Sequence, residues 1–356
     1  MRILCTGAAG FIGGWLCDAL LKQGHFVIGV DDLSGSSNER VCLLSAEFEG
    51  VDRKDYTYRF HFGNCSNRVW MLDLFKHYKI DTLVHCAANA RESASQFQPA
   101  TVADRNLNAY SATLSAAISA GVKNVVCFSS LAVYGQGTQE PPFKESQLPQ
   151  PEDVYGVNKY AMEMTTKILC ELHGLNYAII RPHNVFGEWQ ELRDPFRNVV
   201  GIFMNKIMRK EPLVLFNHGE NVRAFSYIHD ALPAMLEVIE NTRLHNRLTV
   251  NIGGMEHITV NELARCVISN MKMWDALAVK LAPPRPLEVA VAYTDHTIQT
   301  DVLGYTETHG WRKGVENMAA WACERGPQEW RTFDVLEIDS YLMPQAWRDM
   351  LPNVLP

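Results

Sequence analysis

No stretch of this chain approaches the roughly 18 unbroken apolar residues that a membrane span requires, so a membrane-embedded protein is not expected. Met1-Arg2 runs straight into a strand pattern without the layout of a signal peptide, and the expected compartment is the cytoplasm. There is no basic surplus either. Lys and Arg number 33 against 40 Asp and Glu, for a net charge of −7, which leaves nothing to neutralise a phosphate backbone. Nucleic acid is therefore not an expected partner, although a local basic pocket for a small anion stays open. The nine cysteines are odd in number, scattered and never spaced Cys-x-x-Cys, which argues against a disulfide framework and against a zinc site. No metal is expected. Cys5, Cys17, Cys65, Cys86, Cys127 and Cys170 are read mostly as small buried hydrophobes. Internal repeats, low-complexity blocks and long Gly/Ser linkers are also missing.

The 356 residues, 47% hydrophobic and 21% charged, exceed one ordinary domain and suit two interdependent lobes with a packed core. Short β-branched runs alternate with helical patterns, the signature of parallel βαβ units. Strands are expected at Arg2–Cys5, Phe26–Val30, Tyr58–Phe62, Thr82–His85, Asn124–Phe128, Tyr177–Ile180 and Val250–Ile252. Helices are expected at Gly13–Gln23, Asn67–His77, Ala100–Ala120 and Tyr155–His173, where apolar residues recur at intervals of three and four. From about Arg181 the rhythm loosens around Pro182, Pro195, Pro212 and Pro283–Pro286, which marks a second lobe.

The strongest local signal is Thr6-Gly7-Ala8-Ala9-Gly10-Phe11-Ile12-Gly13, directly after the first strand and opening the first helix. Glycine at these three positions permits a tight turn, close approach of backbone to a pyrophosphate, and close packing of helix on strand. The helix N-terminus then offers unpaired N–H groups to the anion. The spacing is Gly-x-x-Gly-x-x-Gly, one residue longer than the standard dinucleotide fingerprint. Context strengthens it, because the second strand ends at Asp31-Asp32, where a carboxylate can accept from a ribose 2′-hydroxyl and repel a 2′-phosphate. NAD is the cofactor this favours. The fold class is thus α/β, a Rossmann-type doubly wound parallel sheet with a smaller C-terminal substrate-binding lobe. Residues 1–180, with 225–252 returning, would form the first unit, and 181–224 with 253–356 the second.

A second signal is Tyr155-Gly156-Val157-Asn158-Lys159 in a good helix pattern, a spacing that puts phenol and ammonium on one face. A neighbouring cation and an oxidised nicotinamide both favour phenolate, and should bring a tyrosine of ordinary pKa about 10 toward neutrality as a general base. Ser129-Ser130 ends the fifth strand, on the side where open α/β sheets place ligands.

These residues, with His85-Cys86-Ala87-Ala88, Asn106 and Val133-Tyr134-Gly135, resemble the extended short-chain dehydrogenase/reductase family, and within it the NAD-dependent epimerase/dehydratase branch. In the second lobe Arg181-Pro182-His183-Asn184-Val185-Phe186-Gly187, Arg223-Ala224-Phe225-Ser226-Tyr227-Ile228 and Asn251-Ile252-Gly253 resemble its nucleotide-sugar-binding segments. The likeness spans about residues 1–325, and the segment beyond, with Trp330 and Trp347, carries no motif. The resemblance implies that Ser130, Tyr155 and Lys159 do the chemistry: Tyr155 takes a hydroxyl proton while NAD accepts hydride, Ser130 bonds the same oxygen, and Lys159 also holds the nicotinamide ribose. It implies cofactor contacts from Gly7, Gly10, Phe11, Ile12, Gly13, Asp31, Asn64, Cys65 and Ala87, with Asn106 supporting the lysine through water. Asn184, Arg223 and Arg285 would hold the diphosphate and uridine of a UDP-sugar, guanidinium forks matching phosphate oxygens. His85 would contribute backbone near the cofactor.

The implied reaction is epimerisation at C4 of UDP-glucose, UDP-galactose or UDP-N-acetylglucosamine type through a 4-keto sugar. The alternative is elimination by a nucleotide-sugar dehydratase. Leu131 and Ala132 stand where dehydratases carry an Asp-Glu pair, so elimination would need acids from elsewhere, such as Glu188 or Asp194. Ala132 also argues against decarboxylation and 3,5-epimerisation. Ala292 aligns with a gate against N-acetylated sugars, and its small size would open that gate. A reading of another class is a non-catalytic, dinucleotide-binding regulator, which would be expected to lose Tyr155 or Lys159. Pairing of the Ala100–Ala120 and Tyr155–His173 helices between two copies makes a homodimer the expected assembly.

Overall fold

The computed structural model describes residues 1–36, 39–48, 58–136, 140–272, 279–331 and 336–350. In chain order the elements begin with β1 (Arg2–Thr6), α1 (Phe11–Lys22), β2 (Phe26–Asp31), α2 (Glu39–Phe48), β3 (Tyr58–Phe62), α3 (Arg68–His77) and β4 (Thr82–His85). A 3-10 turn (Glu92–Phe97), α4 (Pro99–Ala103), a π turn (Asp104–Asn108), α5 (Ala109–Ala120), β5 (Asn124–Phe128) and α6 (Val154–His173) follow. The chain continues through β6 (Asn176–Pro182), β7 (Val185–Phe186), α7 (Val199–Met208), β8 (Leu213–Phe216), β9 (Val222–Ala224), β10 (Ser226–Tyr227), α8 (Ile228–Glu240) and β11 (Leu248–Ile252). Last come β12 (His257–Thr259), α9 (Val260–Met271), β13 (Val279–Ala282), β14 (Val291–Ala292), α10 (Thr297–Asp301), α11 (Gly310–Arg325) and α12 (Gln345–Met350).

All seven expected strands join one parallel sheet in the order β11-β6-β5-β4-β1-β2-β3. The apolar runs of the central strands β1, β2, β4, β5 and β6 follow from burial on both faces. Ile3 and Cys5 of β1 pack into one core with Leu16, Cys17 and Leu20 of α1, while Leu4 between them packs into another with Ile28, Leu83 and Val125. Five of the six cysteines read as small hydrophobes, Cys5, Cys17, Cys65, Cys127 and Cys170, are buried; Cys86 is half-buried. The strand order reverses at β1, between β2 and β4, and the loop after β1 opens on the crevice there.

The long helix expected over Ala100–Ala120 runs unbroken from Pro99 to Ala120 as α4, the π turn Asp104–Asn108 and α5, and the bulge's extra residue turns Asn106 inward. α2 was not anticipated. Beyond Pro182 the chain builds small sheets, β12-β9-β14 and β13-β8, and returns through β11 to pair with β6 from Leu248↔Ala178 to Ile252↔Pro182. Among the described residues no helix is long and apolar enough to cross a membrane.

Candidate active site

The glycine turn has the form that a dinucleotide requires. Gly7 sits at φ +71°, and a Cβ there would lie 2.7 Å from the Ala87 nitrogen. A Cβ on Gly13 would meet the Gly7 carbonyl oxygen at 2.1 Å, so only glycine lets α1 approach the turn this closely. Gly10 caps α1 without a side-chain bond, leaving first-turn N–H groups toward the cavity that Gly10, Phe11, Ile12 and Gly13 line. This cradle without side chains fits a pyrophosphate. At the end of β2 the Asp31 carboxylate accepts from the Ala9 N–H at 3.0 Å and the Leu33 N–H at 2.8 Å. Burial nonetheless raises its pKa above the ordinary carboxylate value.

The residues expected to transfer protons are carried by α6 and the end of β5. Asp153 caps α6 by accepting from the Gly156 N–H at 2.7 Å, and the Tyr155 N–H donates to Ser95 Oγ at 3.2 Å, which ties the helix start to the 3-10 turn. Tyr155, Lys159 and Glu163 follow at four-residue spacing on one face. Glu163 is clamped in the interior. Arg181 of β6 donates to its two oxygens at 2.8 and 2.6 Å, and Ser129 Oγ donates to it at 2.6 Å. Arg181 also donates to Tyr134 Oη at 2.7 Å, and that hydroxyl donates to Asn251 Oδ1 at 2.9 Å. The network joins β5, α6, β6 and β11 directly behind Ser130.

One cavity of about 580 Å³ runs through the molecule and brings most of the expected residues together. Its wall includes Gly7, Gly10, Phe11, Ile12, Gly13, Asp31, Asn64, Cys65, Ala87, Ser130, Tyr155, Asn184, Arg223 and Arg285. Asn64 stands exposed, its Oδ1 accepting from the Ser66 N–H at 2.8 Å. Asn184 donates to the Ala224 carbonyl at 3.0 Å. Arg223 donates to the carbonyls of Val222, Ala290 and Val289, and Arg285 forks onto Glu288. Both guanidiniums are thereby held at the wall. His85 is buried at the end of β4 against Thr6 Oγ1, 2.9 Å away, and burial, assisted by the Lys159 charge, lowers its pKa to about 3. It is a neutral structural ring.

Several expectations need correction. The Tyr155 phenol is not brought toward neutrality by its protein surroundings: burial raises its pKa well above the ordinary value, a hydrogen bond with Ser130 pulls it down, and the charges of Glu92 and Asp153 push it up. Lys159 does not line the cavity. Its Nζ donates to the Phe128 carbonyl at 2.7 Å and lies 5.7 Å from the centroid of the Tyr155 ring. Asn106 also lies off the wall, accepting from the Asn89 N–H at 2.7 Å and donating to its carbonyl at 3.2 Å. Of the segments expected at the nucleotide sugar, Arg181, His183 and Asn251-Ile252-Gly253 do not reach the cavity, because they are buried in the network and core behind it. Ala292 is buried in a small apolar cluster with Val133, Tyr134 and Phe143 and does not line the cavity. Glu188 accepts from Tyr227 Oη at 2.9 Å, and Asp194 is paired with Arg91 and Arg197 at 2.8 and 3.3 Å; neither lines the cavity.

Three features of the site escaped the sequence reading. Glu92 and Asp153 are carboxylates on the cavity wall, one after a strand and one at a helix cap, and only the second position has a local signal. The third is the C-terminal segment. Glu337 caps α4 by accepting from the N–H groups of Ala100 and Thr101 at 2.9 and 2.7 Å, and Trp347 lines the cavity while packing with Phe97, Phe196, Leu336 and Met343. The tail is thus part of the wall.

The sheet's switch point, the glycine cradle and a Ser-Tyr pair on a common cavity define a dinucleotide-dependent enzyme of the α/β class. The family model described as the NAD dependent epimerase/dehydratase family matches residues 3–253, and the chain belongs to that family. Its cofactor is NAD. The UDP-glucose 4-epimerase of Mycolicibacterium smegmatis is 28% identical over 317 residues, 88% of this chain and 96% of the relative. The UDP-glucuronate 4-epimerase of Thermodesulfobacterium geofontis is 28% identical over 262 residues, 73% of this chain and 77% of the relative. The crystal structure of a UDP-glucose 4-epimerase from Thermotoga maritima with UDP-glucose superposes with a TM-score of 0.79 at 28% identity, covering 91% of this chain and 99% of that one.

Proposed function

We propose that this enzyme epimerises a UDP-hexose at C4 through a 4-keto sugar. The observation that carries the reading is the single cavity whose wall holds the glycine cradle, Ser130 and Tyr155 from the sheet side and Asn184, Arg223 and Arg285 from beyond it. When bound, NAD would supply the hydride acceptor and, in its oxidised form, a positive charge that favours phenolate. Tyr155 removes the proton from the C4 hydroxyl and later returns one to the same oxygen. Ser130 bonds that oxygen and the phenol, and Lys159 keeps a cation beneath the tyrosine ring, where it favours the developing phenolate. Arg223 and Arg285 hold the diphosphate while the sugar turns over between the two proton transfers. Residues 1–180 with 225–252 serve the dinucleotide, and 181–224 with 253–356 serve the nucleotide sugar. Elimination is the second reading; Glu188 and Asp194 lie off the cavity wall, so its acids would have to be Glu92 or Asp153.

The test is product identification by NMR after incubating purified enzyme with a panel of UDP- and dTDP-sugars. The C4 epimer is the expected product. A 4-keto-6-deoxy product would replace the epimerase by a dehydratase, and no product with any sugar, without change in the NADH absorbance band, would favour a regulator.

We also propose a homodimer. Val157, Met164, Ile168 and Leu172 on α6 are exposed at 51%, 39%, 58% and 73%, an apolar stripe suited to a second copy of the same helix. Light scattering should give twice the 40.2 kDa chain mass, and a monomer at micromolar concentration would refute the pairing.

A further inference from the structure

The catalytic region of the cavity holds a carboxyl group that the protein leaves unclaimed. Glu92 opens the 3-10 turn that Ser95 fixes to the start of α6, so its position is coupled to that of Tyr155. Its side chain is exposed on the cavity wall and makes no hydrogen bond or ion pair with any described residue. Desolvation in the cleft disfavours its charge, Arg223 and Arg285 favour it, and Asp153 and Glu288 oppose it, with Tyr155 nearby. None of them closes on it. Arg285 is forked onto Glu288, Arg223 donates to three backbone carbonyls, and Asp153 is engaged in capping α6. A carboxylate on a cavity wall without a protein partner is open to donors from whatever enters.

We propose that Glu92 sets the sugar class of the substrate: it accepts hydrogen bonds from the hydroxyls of a neutral hexose and rejects a nucleotide sugar whose ring bears a carboxylate. The inference rests on the nucleotide-sugar reading above. Overall similarity does not choose between the two classes, because the UDP-glucose and UDP-glucuronate 4-epimerases are both 28% identical to this chain. A local charge can choose. Like charges brought together in a water-poor cleft are a repulsive specificity element, and that element acts on binding of the wrong substrate without needing new contacts to the right one.

The experiment compares kcat/KM for UDP-glucose and UDP-glucuronate in the NAD-loaded wild type, Glu92→Gln and Glu92→Asp, with NAD content confirming that each variant is folded. The wild type should favour UDP-glucose by about 100-fold or more. Glu92→Gln should move that ratio toward the uronate by about tenfold or more, mainly through KM, while Glu92→Asp keeps the preference because it keeps the charge. Equal or better turnover of the uronate by the wild type overturns the inference and leaves the epimerase reading intact, as does an unchanged ratio in Glu92→Gln. No turnover of any nucleotide sugar by the wild type overturns the epimerase reading, and the inference with it.

Discussion

Changing Glu163 to Gln removes one negative charge from the interior with almost no change of shape. Glu163 is fully buried, and the guanidinium of Arg181 that forks onto it is 2% exposed. Burial disfavours the charge on Arg181, but the hydrogen bonds and charge of Glu163 outweigh it and hold the guanidinium's pKa above its ordinary value. In the variant the cation stays, facing an amide that accepts at one atom and presents N–H groups at the other. Removing one member of a buried pair generally costs about 3–5 kcal/mol, a large share of the roughly 5–15 kcal/mol by which domains are stable. Because Tyr155, Lys159 and Glu163 share one face of α6, a loosened clamp also lets the phenol drift, and kcat should fall while NAD stays bound at the glycine turn. Urea unfolding of the NAD-loaded protein followed by circular dichroism, alongside kcat, makes the measurement. A loss within about 0.5 kcal/mol, the scale of ordinary surface substitutions, would refute the clamp.

Gly13→Ala places a methyl 2.1 Å from the Gly7 carbonyl oxygen, where backbone must move. Overpacking of this kind costs about 1–3 kcal/mol, and the variant should purify without NAD; full NAD occupancy would contradict the cradle. Burial and the neighbouring Glu92 raise the pKa of Asp153 to about 7, whereas the unfolded value is about 3.9. Between those values the folded chain binds more protons than the unfolded one, so this group's contribution makes stability fall as pH rises through that window. Asp153→Asn keeps a capping oxygen but does not titrate, and should gain about 1–3 kcal/mol relative to wild type between pH 5 and pH 8. A difference that stays flat with pH, measured by urea unfolding, would contradict it.

The sheet was legible because its central strands are buried on both faces and therefore announce themselves as apolar runs, from Ile3–Cys5 to Ala178–Ile180. The glycine turn was legible because its constraint is local: Gly7 and Gly13 are glycine for reasons a few residues away. What escaped depends on partners far along the chain. Arg181 sits in a segment that resembles a ligand-binding motif, yet its partner is Glu163, and only the pairing of β6 beside β5 brings them into contact. Glu92 gains its setting from Tyr155 and Arg223, separated from it by most of the first lobe and more. The π turn at Asp104–Asn108 leaves an apolar rhythm nearly unchanged while it redirects Asn106. The tail carries no motif, because its role is to fill space beside Phe97 and Phe196.

Tyr155→Phe is the most direct measurement, since it keeps the ring and removes only the transferable proton. Turnover of the UDP-hexose should fall by about two to four orders of magnitude while the NAD content stays at the wild-type level. Turnover near that of the wild type, or a protein that has lost its NAD, would contradict proton transfer by this phenol.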